Sequence, residues 1–108
     1  MTFAQEIEHI AQEYKECPLT CVIGQFGWNG YKQNERGERA PTGETMTWEE
    51  ARPFLDYNYD DNFGAPECHA VYVWTKNYIL FVSTYDGATN IEAMPRNPMS
   101  CKPKMFGG

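Results

Sequence analysis

Apolar residues in the first part of the chain recur at helical spacing. Phe3, Ile7, Ile10, Ala11 and Tyr14 fall at i, i+4, i+7, i+8 and i+11, one stripe of an amphipathic helix. Thr2 with Gln5 three positions later forms a capping-box pair, and early acids suit the helix dipole. Cys17-Pro18 is the expected stop, because a residue before proline avoids the helical region. The stripe predicts a helix packed on a sheet.

The pattern then changes. "LTCVIGQFGW" (19–28) reads as a strand, Asn29-Gly30 as a hairpin turn, and "YKQN" (31–34) as a short returning strand. Residues 34–46, "NERGERAPTGETM", are polar and broken by two glycines and a proline, which predicts a flexible loop. Thr47 and Glu50 form a second capping pair. The helix they start should be short, 48–55, because Pro53 lacks an N–H and crowds the carbonyl one turn back. Further on, "HAVYVW", "YILFVSTY" and "ATNIEAM" are three strands rich in β-branched and aromatic residues. Thr75-Lys76-Asn77 joins the first two and Asp86-Gly87 the others. Pro95 and Pro98 end this meander, and residues 99–108 form a basic tail. The expected fold is α+β. It has an antiparallel sheet of four to five strands, with the N-terminal helix and a second short helix on one face.

Length and composition fit one domain over 1–108. The chain has 108 residues, 42% of them apolar and 15% aromatic. That suffices for a core without metals or disulfides. The net charge of −6 disfavours nonspecific contact with nucleic acid or anionic membrane and favours a basic protein partner. The acid is concentrated. Residues 44–67 hold Glu44, Glu49, Glu50, Asp56, Asp60, Asp61 and Glu67 against Arg52 alone, whereas 28–43 and 68–108 are slightly positive. "MTFAQEIEHIAQEYKE" has neither the basic start nor the apolar run of a secretory signal, and no stretch is long and apolar enough to span a bilayer. A cytoplasmic protein is therefore expected, with Cys17, Cys21, Cys68 and Cys101 as reduced thiols.

The stretch "DYNYDDNFGAPE" (56–67) carries the sharpest chemical signal. Asp56, Asn58, Asp60 and Glu67 fall where an EF-hand loop places its first, third, fifth and twelfth ligands. Asp61 stands where that loop needs glycine, and the flanks are a proline-shortened helix and a strand, so the calcium pattern is incomplete. A turn-rich helix-to-strand connection accounts for the same residues. Cys17, Cys21, Cys68 and His69 could supply four zinc ligands, but adjacent strand residues such as Cys68 and His69 point to opposite faces. A catalytic pair of Cys68 or Cys101 with His69 or His9 is conceivable, yet nothing marks an oxyanion hole, a phosphate-binding glycine loop or a dinucleotide fingerprint. The expectation is a non-enzyme without cofactor or bound metal.

Aromatic residues are numerous in the connections: Trp28, Tyr31, Tyr57, Tyr59 and Phe63. Rings bordered by acids suit a protein interface, in which rings anchor and carboxylates steer; packing of Tyr57 and Tyr59 back over the sheet is the alternative. Asp56, Tyr57, Tyr59, Asp60, Asp61 and Glu67 are accordingly the candidate partner-binding residues. The runs "TWEEARPFLDYNYDDNFGAPECHAVYVWT" and "YDGATNIEAMPRNP", within 47–98, resemble stretches of small proteins from bacteriophages and mobile elements. In size and acidity the chain is similar to anti-CRISPR and other anti-defence inhibitors. That resemblance implies an inhibitor that blocks the basic, nucleic-acid-binding surface of a host protein such as a CRISPR effector. It assigns no residue a role. A metal-stabilised binding module and an accessory structural phage protein are the competing expectations.

Overall fold

The computed structural model describes residues 1–28, 30–62 and 64–106. Asn29 of the expected Asn29-Gly30 turn and Phe63 thus lie outside the described residues. Two helices, α1 (Phe3–Glu13) and α2 (Trp48–Leu55), accompany five strands: β1 (Thr20–Phe26), β2 (Thr45–Thr47), β3 (His69–Trp74), β4 (Tyr78–Tyr85) and β5 (Ala88–Pro95). The strands form one antiparallel sheet in the order β2-β1-β3-β4-β5, and β3 to β5 are a meander. The fold is α+β.

Both capping boxes are present, Thr2 with Gln5 and Thr47 with Glu50. The end of α1 is a correction. The helix stops at Glu13, before Cys17-Pro18, because Lys15 adopts φ 60° and closes a Schellman motif. There the Lys15 and Glu16 N–H groups donate to the Gln12 and Ala11 carbonyls at 2.8 and 3.1 Å. The returning strand is a second correction. Residues 31–34 contribute only a Gln33–Arg39 bridge, and β1 pairs instead with β2, Cys21 opposite Met46. Residues 45 and 46, read from sequence as the end of a loop, belong to that strand.

Alternation along each strand separates two faces. Cys21 and Ile23 of β1, Val71 and Val73 of β3, Leu80 of β4 and Ile91 and Ala93 of β5 face the helices. They meet Phe3, Ile7 and Ala11 of α1 and Trp48, Ala51 and Leu55 of α2 in one core. The opposite face carries Tyr72, Trp74, Ile79 and Phe81, with Phe106 of the tail edge-on to Phe81 at 5.1 Å. Between Ile23 and Phe26 the β1–β3 register slips: three steps on β1 match two on β3, from Val71 to His69. This bulge re-aims the end of β1. Among the described residues no helix is long and apolar enough to cross a membrane.

Candidate functional site

The connection from α2 to β3 begins as a structural splice. Asp56 accepts a hydrogen bond from Thr2 Oγ1 at 2.6 Å and pairs with Arg52 at 3.3 Å, while the Phe3 N–H donates to the Tyr57 carbonyl at 2.7 Å. Arg52 also reaches Glu8, which accepts from Trp48 Nε1. Burial alone would raise the Glu8 pKa, but the bonds from Arg52 and Trp48 outweigh it and hold the carboxyl below its usual value. Asp56 therefore ties α2 to the start of α1.

The two tyrosines turn inward. Tyr57 stacks near Phe3, Phe26 and His69, with ring centroids 5.7 to 5.9 Å apart. Its hydroxyl accepts from the His69 backbone N–H at 2.8 Å and lies 2.9 Å from His69 Nδ1. The Tyr59 ring meets Phe3 edge-on at 5.3 Å, and its hydroxyl donates to Glu6 at 2.6 Å. Burial pushes the pKa of both phenols up. Asp56-Tyr57-Asn58-Tyr59-Asp60 thus alternates exposed polar side chains with largely buried rings.

Beyond Tyr59, Asp60 and Asp61 are exposed and Glu67 is half-buried. Asp60 Oδ1 accepts from the Asn62 N–H at 2.9 Å, an Asx turn, and Glu67 accepts from the Asp60 N–H at 3.2 Å. The Thr89 N–H donates to the Asp61 carbonyl at 2.7 Å, and the Gly64 N–H to the Gly87 carbonyl at 3.1 Å. These two bonds dock the loop on the β4–β5 hairpin. The hairpin turn itself has positive φ at Asp86 and Gly87, 49° and 85°, as a type I′ turn requires. Gly87 and Thr89 make these contacts; Asp86 and Tyr85 precede them in the hairpin, and Tyr85 is 63% exposed. Neither was among the sequence candidates. The Asp-Gly signal located the turn, but no local signal placed it against residues 60–64.

The metal and thiol alternatives find different surroundings. Among the described residues no group of three or more His, Cys, Asp or Glu side chains is placed to hold a metal ion. All four cysteines are free; Cys17 and Cys101 are exposed, while Cys21 and Cys68 belong to the core. Burial pushes both core thiols up to about 12, which leaves them protonated and poor nucleophiles. His69 is engaged with Tyr57 through Nδ1.

Comparison with protein-family models, curated proteins and solved structures found no match to the chain. The acidic corner is thus Asp60, Asp61 and Glu67 of the connection, docked against the hairpin whose turn carries Asp86 and, next to it, Tyr85.

Proposed function

We propose that this is a non-catalytic cytoplasmic binding protein that blocks a basic, nucleic-acid-binding surface of a host protein. The observation that carries the reading is the docking of the 60–64 loop on the β4–β5 hairpin, which brings the segment of exposed Asp60 and Asp61 against the turn that carries exposed Asp86. Among the described residues none of Asp60, Asp61, Glu67 and Asp86 makes an ion pair, so their charge is available to a partner. Carboxylates engage the same Arg and Lys side chains that hold phosphates, and Tyr85 supplies an anchor of the kind that dominates interface energetics. The narrower setting is that of a phage or mobile-element inhibitor of a defence complex such as a CRISPR effector. Tyr57 and Tyr59 act there by holding the loop in place, with Asp60 and Asp61 in contact with the partner.

The test pairs Asp61→Lys with Asp86→Asn. Among the described residues Asp61 engages the hairpin through its backbone carbonyl alone, and asparagine tolerates the positive φ at 86. Immobilised protein is exposed to nuclease-treated bacterial lysate, and the retained proteins are challenged with salt and with duplex DNA or RNA. The expected result is a nucleic-acid-binding protein released by both and not retained by the double variant, whose melting temperature stays within a few degrees of the parent. Retention that survives the charge reversal, or the absence of any salt-sensitive partner, overturns the reading.

A further inference from the structure

On this acidic chain, a depression beside β1 has two cations and, among the described residues, no carboxylate in its wall. It has a volume of about 360 Å³ and lies at the bulged end of β1, where Gln25, Tyr31, Lys32, Arg39, Thr42 and His69 contribute to its wall. It shares no residue with the acidic corner. The loop that covers it is built as a small antiparallel turn. Gln33 bridges Arg39, the Asn34 N–H donates to the Glu38 carbonyl at 2.8 Å, and Asn34 Oδ1 accepts from the Arg36 and Glu38 N–H groups, each at 2.9 Å. Its far end is fixed to β1 by the Gly43 N–H donating to the Ile23 carbonyl at 2.9 Å.

Within this loop Arg36 and Glu38 pair with each other at 3.1 Å. Among the described residues Lys32 and Arg39 make no ion pair. Aromatic faces position them instead. Arg39 Cζ lies 3.6 Å from the centroid of Tyr31, and Lys32 Nζ lies 4.8 Å from Tyr57 and 5.7 Å from Phe26. A ring face orients a cation but does not cancel its charge, so each group is held and still able to bind an anion. Holding the side chains beforehand lowers the ordering cost that a ligand would otherwise meet. Glu35 lines the neighbouring hollow and not this one.

His69 supplies a third donor. Among the described residues Nδ1 is the one acceptor within reach of the Tyr57 phenol proton, while the Tyr57 oxygen accepts from the His69 backbone N–H, so we assign that proton to the Tyr57–Nδ1 bond. Nδ1 is then the acceptor, and in the neutral ring Nε2 carries the hydrogen. Among the described residues Nε2 has no hydrogen-bond partner. Since no buried side-chain nitrogen or oxygen among the described residues lacks one, Nε2 reaches the solvent of the depression, although His69 as a whole is only 3% exposed. Burial and the nearby Lys32 charge lower the ring's pKa to about 4, consistent with the neutral form.

We propose that this depression is a binding site for the oxyanion group of a small molecule, held by Lys32, Arg39 and the His69 Nε2–H. The shared chemistry is an oxyanion acceptor, and phosphate and carboxylate are its two sources. The depression is of the size that takes small ligands, and the chain's net charge of −6 opposes an extended polyanion.

The test titrates the ¹⁵N-labelled full chain with inorganic phosphate and, separately, with acetate, following the Gly24, Gly30 and His69 backbone signals and the imidazole nitrogens. Saturable shifts confined to these positions with either anion support the site, and the anion that binds more tightly identifies the source. Lys32→Gln and Arg39→Gln should each weaken binding about tenfold, as expected for loss of a charge-assisted hydrogen bond, while Lys76→Gln leaves it unchanged. An imidazole protonated at Nδ1, shifts spread over the whole surface, no saturation by about 10 mM, or full binding by the Lys32→Gln/Arg39→Gln variant each overturn the proposal. Melting curves of the variants keep a folding defect distinct from loss of the site.

Discussion

At the scale of single residues, Lys15 shows how tertiary demands override local preference. A lysine at φ 60° sits in the left-handed region, where a Cβ is costly, yet it closes the Schellman motif of α1. The turn is needed because Glu16, immediately after it, accepts hydrogen bonds from Thr75 Oγ1 and from the Asn77 backbone and side-chain N–H groups, tying the helix end to the β3–β4 turn. Lys15→Gly removes the strain and keeps the turn. The expected outcome is a gain of about 0.5–1 kcal/mol in stability, measured as a higher urea midpoint at unchanged m-value. A second residue-scale lesson concerns Tyr57 and Tyr59. The two-residue period of Asp56-Tyr57-Asn58-Tyr59-Asp60 separates rings from polar groups, but only the presence of Phe3, Glu6 and His69 decides that the rings face inward.

Among the elements, the β4–β5 hairpin does two jobs. It completes the sheet and receives the 60–64 loop, and Gly87 serves both. Its φ of 85° disfavours any side chain, and a Cβ there would lie 3.3 Å from the Gly64 Cα. Gly87→Ala therefore strains the turn and presses on the docked loop together. A loss of about 1–2 kcal/mol is expected in denaturant unfolding, with faster amide exchange at Gly64 and Thr89, whose N–H groups donate across the junction. Unchanged exchange at these two amides would refute the docking role. The helices and the meander were legible from the chain because their signals are local: apolar period, capping pairs, Pro53 and Asp-Gly. The strand β2 was not. Three residues with exposed, intermediate and exposed side chains carry no strand pattern of their own and become a strand only by pairing with β1.

The whole molecule should lose stability on acidification, in two stages. Burial and Lys32 hold the folded-state pKa of His69 at about 4, against an ordinary value of 6.5. Between these pH values the unfolded chain binds a proton that the folded one does not, so stability falls as the pH drops through that window. The slope is about 1.4 kcal/mol per pH unit, or roughly 3 kcal/mol across it. Glu8 and Glu16 are held below their usual 4.5; burial opposes this, and hydrogen bonds from Arg52 and Trp48, and from Thr75 and Asn77, outweigh it. Their stabilisation is present above 4.5 and is lost as the pH falls further. Urea unfolding at stepped pH tests this: His69→Gln starts from lower stability but should show a flatter profile between 6.5 and 4. A parallel profile in parent and variant would show that His69 does not titrate as argued.

The chain by itself determined its α+β class, both helices, the meander and the concentration of acid between residues 44 and 67, because each follows from neighbours within a turn or a hairpin. Tertiary structure alone decided which strand pairs with the outer edge of β1, that Tyr57 and Tyr59 pack inward, and that the 60–64 loop docks on the β4–β5 hairpin. It also brought Lys32, Arg39 and His69 around one depression. These are contacts between segments far apart in sequence, and their register is set by shared burial and paired backbone groups, which no local window contains.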